Sequence, residues 1–278
     1  PDAPQGVKGI STFLVPKVLP DGTRNAIACS GLEHKMGIHG SPTCVMDLTG
    51  ATGWLVGQPH RGMASMFTMM NAARLFVGVE GISLGEIAYQ TALAFAKDRR
   101  QSRALDPRRS DPGAAADNIL VHPDVRRMLL NARSTTEAMR GLAVLVSTNI
   151  DLAHHHPDEE ARERAEDLVA LLTPVVKAYC TERGFANVSD AMQVCGGAGY
   201  TRDWSIEQYL RDMRIALIYE GTNHIQALDL VGRKLPMHDG RLFRTFVAEA
   251  RAAVAAGRAY EATAGFADAL DDALGLLV

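Results

Sequence analysis

Apolar and polar positions divide the chain into a β-like opening and a helical remainder. Ile10-Ser-Thr-Phe-Leu-Val15 mixes apolar and β-favouring residues and stops at Pro16, and Leu19-Pro-Asp-Gly-Thr23 is turn chemistry. Residues 43–48 and 54–56 read as two further strands, separated by Thr49-Gly-Ala-Thr-Gly53. From about Gly62 the period changes. Met66, Met70, Ala73, Val77, Gly81, Leu84, Ala88 and Phe95 recur at steps of three, four or seven, with no proline before about Arg100. This predicts one helix of about 50–60 Å, a length that suits a bundle. An Arg-, Asp-, Pro- and Gly-containing loop follows over 101–121. Helices then begin at His122-Pro-Asp124 and at His156-Pro-Asp-Glu-Glu160, where proline takes a first helical position and acids fill the first turn. They are predicted to run to about Ala153 and Val194, with Gly196-Gly197-Ala-Gly199 breaking the second. Shorter helices are expected over about 206–213 and 222–234, and an Ala-rich helical stretch over 239–274.

Composition narrows the class. The chain has 278 residues, 47% hydrophobic and 22% charged, enough for a sizeable core. A net charge of −3 leaves no basic field for nucleic acid or anionic lipid. Apolar runs fall far short of a membrane span. Four cysteines (Cys29, Cys44, Cys180, Cys195) without a C-x-x-C pair are expected to be buried, reduced thiols, which favours a cytoplasmic protein and no metal. Pro1 is not a natural initiator and the chain begins in mid-pattern, so a fragment is expected.

Three segments carry chemistry. In Ile218-Tyr-Glu-Gly-Thr-Asn-His-Ile-Gln226, Glu220 sits behind an apolar run and just before a helix. Desolvation there would suit a general base, and Gly221 permits close approach of a ligand. The plain alternative is an acid that satisfies the helix dipole. In Gln193-Val-Cys-Gly-Gly-Ala-Gly-Tyr200, three glycines in four residues give a turn whose backbone can approach a cofactor, or simply a helix stop. In Lys97-Asp-Arg-Arg-Gln-Ser-Arg103, guanidinium groups suit a diphosphate, or a solvated helix end.

The order of these motifs, with Lys35-Met-Gly-Ile-His-Gly-Ser-Pro-Thr-Cys44 ahead of them, resembles the acyl-CoA dehydrogenase family over about residues 6–235, in its large bacterial branch. The resemblance implies residues 1–58 as the end of a middle β domain, 59–235 as a four-helix bundle that binds FAD and acyl-CoA, and 236–278 as the start of a helical extension. It also implies a homodimer or dimer of dimers. The implied reaction is α,β-dehydrogenation of an acyl-CoA thioester to the trans-2-enoyl-CoA. Glu220 would remove the α-proton, flavin N5 would take the β-hydride, and an electron-transfer flavoprotein would accept the electrons.

Matched by motif, Arg99, Gln101 and His122 resemble positions that reach the FAD of a partner subunit. Gln193, Gly196 and Gly197 resemble the turn at its diphosphate, and Thr222 and His224 resemble contacts to FAD in the same subunit. Asn71 and Arg74 match positions that hold the CoA moiety; Gly221 and Arg233 belong with the substrate, Arg233 one position off the pattern of short members. Ser102-Arg103 replaces the usual Phe-Gly. With the family's N-terminal helical domain and half its β domain outside the chain, the isolated chain is expected to bind FAD weakly or not at all. An acyl-CoA oxidase and a non-catalytic, DNA-binding or scaffolding relative are the rival readings; the acidic balance opposes DNA binding. Three consecutive histidines, His154 to His156, cannot share one helix face, so they read as a helix junction. The Met residues of 63–70 read as helical core.

Overall fold

A computed structural model describes residues 3–277; the expectation drawn from Pro1 lies outside them. Two antiparallel strand pairs open the chain. Strand β1 (Thr12–Leu14) pairs with β4 (Trp54–Val56), and β2 (Ala28–Leu32) pairs with β3 (Cys44–Asp47) through a bulge between Cys29 and Gly31. Strand β2 is absent from the pattern reading because Ala-Cys-Ser-Gly-Leu is a poor strand former by itself; its partner β3 defines it. Cys29 and Cys44 are exposed on these strands, which corrects the expectation that all four thiols are buried. Cys180 and Cys195 are buried, and burial pushes their thiols up to about 12 and about 11.

Three long helices follow: α1 (Gly62–Asp98), α2 (Pro123–His155) and α3 (Glu159–Cys195). Pro123 takes the first position of α2, and Asp158 caps α3 by accepting from the Ala161 N–H at 3.1 Å. His154 to His156 do form the junction between them. Helix α3 keeps Pro174 in its interior, a residue that cannot donate to the ladder. A one-turn α4 (Gly197–Tyr200) and α5 (Ile206–Met213) fold back across the bundle, and α6 (Asn223–Asp229) runs into a π turn over Leu230–Lys234. The Ala-rich tail, expected as one stretch, breaks at Ala259–Tyr260 into a hairpin of α7 (Arg241–Arg258) and α8 (Glu261–Leu277). It is sealed by Val254, Ala267 and Leu274. Arg241 anchors it to α3 by donating twice to buried Asp167, at 2.9 Å each.

The bundle is packed at near-atomic contact where α1 crosses α3. A Cβ added at Gly81 would collide with the Cys180 carbonyl oxygen, and one at Gly184 with the Gly81 carbonyl oxygen. Small residues continue the seam below, where Ala88, Ala92 and Ala96 lie fully buried against Val188, Ala191 and Val194. Met139, Val146, Leu172 and Val176 fill the space above. The Met66 and Met69 side chains are exposed, which corrects the expectation of a methionine core there.

Gly81→Ala or Gly184→Ala is expected to cost about 1–3 kcal/mol in stability, because the backbones must separate. Gly141→Ala on α2, where a Cβ meets open space, is expected to gain about 0.5–1 kcal/mol. Urea midpoints of the three variants check the contrast; a Gly81→Ala chain as stable as Gly141→Ala would refute the close crossing.

Candidate functional site

Two neighbourhoods collect the residues singled out from the sequence. The first is a groove of about 670 Å³ lined by Arg99, Gln101, His122, Gln193, Gly196 and Gly197, with Phe95 and Trp204 edge-to-face on its wall. Its residues come from three distant stretches of chain, and a short ladder brings two of them together. The Ile119 N–H donates to the Arg99 carbonyl, the Gln101 N–H to the Asp117 carbonyl and the Asp117 N–H to the Ser102 carbonyl. His122 Nε2 lies 2.9 Å from the Gln101 carbonyl oxygen.

Asp117, almost fully buried, is the staple of this loop. Its carboxylate accepts from the Ala104 and Asp111 N–H groups at 2.7 Å, from Ser110 Oγ at 2.8 Å and from Arg103 Nη1 at 3.2 Å. The backbone donors, Ala104 first, hold it far below the usual carboxylate range. The unusual Ser102-Arg103 pair is thereby explained. Ser102 takes the left-handed corner, at φ 62°, and Arg103 serves the staple. Across the groove, Gly196 ends α3 at φ 57°, ψ −141°, and a Cβ on Gly196 or Gly197 would meet open space. Backbone therefore faces the groove with nothing between it and a ligand.

The second neighbourhood is the turn of Glu220. Glu220 and Gly221 are consecutive left-handed residues, at φ 57° and 83°. For a non-glycine residue that costs about 1–2 kcal/mol, so the surroundings must enforce it. They do so through every group except the carboxylate. Buried Gln226 donates through Nε2 to the Glu220 and Gly221 carbonyl oxygens, at 3.2 and 3.1 Å. Arg74 Nε donates to the Glu220 carbonyl at 3.4 Å. The Thr222 hydroxyl caps α6 by accepting from the Ile225 N–H. Tyr219 Oη donates to Glu80 on α1. Burial raises the Glu80 carboxyl above its ordinary range, and burial and Glu80 together push the Tyr219 phenol up. Asn223 Oδ1 accepts from Lys177 Nζ at 3.0 Å and Thr181 Oγ1 at 3.1 Å. The Glu220 side chain itself is half-buried, and its Oε2 is shut off from solvent with no hydrogen-bond partner.

Arg74, expected at the CoA moiety, lines a cavity with Asn71 and is also held from within the protein. It is buried, and its Nη1 lies 3.2 Å from Asp229 Oδ2 while Nε serves the Glu220 carbonyl. Its guanidinium is committed to the turn. Asn71 is exposed at the mouth of a 210 Å³ cavity shared with Arg74, Asp229 and Lys234. Arg233 is exposed and lies 3.3 Å from Asp229 Oδ1. Its one-position offset coincides with the π turn, which accommodates an extra residue. Thr222 and His224 are exposed at the start of α6, and the groove and the Glu220 turn share no lining residue. The sequence reading missed Lys177, Glu80, Tyr219, Asn223 and Gln226. One signal was available. Lys177 shares a buried helical face with Thr173, Thr181 and Gly184, where a charged residue is out of place.

A bundle of three long helices thus carries a half-buried carboxylate on a left-handed turn before α6. The acyl-CoA dehydrogenase C-terminal domain model matches residues 60–235, and the chain belongs to the acyl-CoA dehydrogenase family. It is 45% identical to 3-methylmercaptopropionyl-CoA dehydrogenase of Ruegeria pomeroyi, over 99% of this chain and 49% of that protein. A butyryl-CoA dehydrogenase of Syntrophomonas wolfei is 37% identical over 96% of this chain and 45% of its own length. The chain thus spans about half the length of these curated relatives. Among solved structures, ACDH-11 of Caenorhabditis elegans in complex with C11-CoA shares the fold at a TM-score of 0.76 and 22% identity, over 89% of this chain and 39% of that one. Among the described residues no helix is long and apolar enough to cross a membrane, and no three His, Cys, Asp or Glu side chains are grouped to hold a metal ion.

Asp117→Asn is expected to loosen the 101–118 loop and lower the melting temperature. The Asp117 contribution is complete above the ordinary aspartate value of about 3.9 and is lost as pH falls below it, because the folded state holds the carboxyl below that value. The difference in melting temperature between the two proteins should therefore shrink on acidification through pH 4; a constant gap would exclude the staple.

Proposed function

We propose that this chain is the flavin-facing half of an acyl-CoA dehydrogenase, in which Glu220 removes the α-proton of an acyl-CoA thioester as the trans-2-enoyl-CoA forms. The observation that carries this is the state of Glu220. Its carbonyl and the flanking Tyr219, Thr222 and Asn223 side chains are tied, whereas its carboxylate accepts no hydrogen bond and its Oε2 is shut off from solvent. A base held this way needs no reorganisation to meet a C–H proton. Gly221 forms the left-handed corner beside the base, where a Cβ would press on Gln226 Nε2; we place it with the substrate, and Asn71 and Arg233, exposed near the same turn, are the groups we assign to the CoA moiety.

The groove fits FAD. It offers an arginine with no carboxylate within ion-pair distance among the described residues (Arg99), uncovered glycine backbone and the Gln101, His122 and Gln193 side chains. Arg99 would hold the diphosphate, and the Gly196–Gly197 backbone would line it. We assign this groove to the flavin of a partner subunit, which makes a homodimer or dimer of dimers the working unit, and Thr222 and His224 to flavin of the same subunit. When bound, FAD supplies the acceptor for the β-hydride. The electrons then leave to an electron-transfer flavoprotein.

In the intact protein, Glu220→Gln is expected to abolish flavin reduction by acyl-CoAs while flavin stays bound, read as flavin absorbance that no longer bleaches when acyl-CoA is added. Surviving turnover would remove Glu220 as the base, and rapid reoxidation of reduced enzyme by oxygen would replace the dehydrogenase with an oxidase. Arg99→Ala is expected to weaken flavin binding about tenfold or more, the worth of one charge-assisted contact, measured by flavin release on dilution.

A further inference from the structure

Lys177 is a charged side chain in a place that disfavours charge. It lies on α3 fully buried, with one hydrogen bond, to the neutral amide oxygen of Asn223. Among the described residues no carboxylate comes within ion-pair distance of its ammonium. The charged groups around it come from every element packed there. On α1 stand Arg74 and Glu80, on the turn Glu220, and on α3 itself Glu182, which accepts from Asn223 Nδ2 at 3.1 Å. Arg74 is neutralised by Asp229 at 3.2 Å, and Glu80 is engaged by Tyr219. The positive charge left without a close partner is that of Lys177, and the sheltered carboxylate left without one is that of Glu220.

We propose that Lys177 is a positioning residue for Glu220: its ammonium pins Asn223, and with it the turn that carries the base, and supplies beside that half-buried carboxylate a positive charge without a close partner. This rests on the reading of Glu220 as base. The two roles are separable. Asn223 transmits the mechanical part, because it is the third residue after Glu220 and is gripped from α3 by Lys177, Thr181 and Glu182. The electrostatic part acts through space in a low-dielectric region, where a charge is felt beyond contact distance. Burial depresses the amine to about 8, with Arg74 adding to the fall and Glu220 and Glu80 opposing it. The amine is protonated at neutral pH, as the role requires.

The test uses the intact flavoprotein and compares Lys177→Met with Asn223→Ala. Removing the charge is expected to move the acid limb of kcat/KM upward by about one pH unit, so that the rate below the limb falls about tenfold and recovers at higher pH. Asn223→Ala, which cuts the tie but keeps the charge, is expected to lower kcat without moving the limb. A second readout needs no turnover. A lysine harder to protonate in the folded state costs stability below about pH 8, and that cost disappears as pH rises from about 8 to 10.5. Wild type should therefore gain melting temperature relative to Lys177→Met across that interval. An unmoved limb, or a stability difference flat in pH, would overturn the inference. Should Lys177→Met not accumulate, Lys177→Gln takes its place, and failure of both to retain flavin would make Lys177 a determinant of folding only and equally overturn it. Turnover in Glu220→Gln would instead remove the base assignment, whereas a dead Glu220→Gln beside an unmoved Lys177→Met profile would remove the Lys177 role alone.

Discussion

The backbone contact of Gly81 with Gly184 is the constraint on which the site depends. Because α1 and α3 touch there without side chains between them, groups within two turns of the crossing on each helix reach the same turn of chain. Arg74 and Glu80 approach it from α1, and Lys177, Thr181 and Glu182 from α3. A bulkier seam would move the helices apart by the width of a methyl group. Hydrogen bonds of 3.0–3.4 Å to the turn have no such margin.

That clamp accounts for the strained backbone. A left-handed glutamate would relax in a free loop, since nothing in its own side chain rewards the conformation. Here its carbonyl oxygen has two donors and its flanking residues are tied to opposite helices. The strain is small beside the sum of these contacts, and its product is a carboxylate with an unpartnered, sheltered oxygen. The same division of labour appears in the groove. Asp117 absorbs four donors so that Arg99 and Gln101 are presented by a fixed ladder.

How much of this was legible in the sequence follows from the range of the interactions. Helices α1, α2, α3 and α5 were readable within a few residues, because period, proline and capping acids are local signals. The Gly196 break and the π turn's displacement of Arg233 also left local traces. Glu220, the groove glycines and Arg99 are candidates from motif order, and the structure gathers Arg99, Gln101, His122, Gln193, Gly196 and Gly197 in one groove. What stayed hidden is long-range. Strand β2 takes its conformation from a partner across the hairpin. The tail's break at Ala259–Tyr260 is fixed by Thr263 donating back to the Gly257 carbonyl, within a stretch whose composition reads as uninterrupted helix. The pairing of Arg74 with Asp229, far along the chain, is equally invisible to local pattern.

The charge arrangement around the turn separates structure from chemistry. A buried ion pair such as Arg74–Asp229 adds little net stability, because desolvation offsets most of its attraction. Its value here is geometric: a guanidinium fixed through Nη1 by one carboxylate has its Nε–H directed at the Glu220 carbonyl. Once that pair is closed, and Tyr219 has engaged Glu80, the charges still open at the site are one ammonium and one carboxylate. A carboxylate tied directly to an ammonium would be a poor base, since the ion pair would have to break before a proton could be taken. Lys177 is instead taken up by the neutral Asn223 amide, so its charge leaves the Glu220 oxygens unoccupied, as the proposed role of that carboxylate requires.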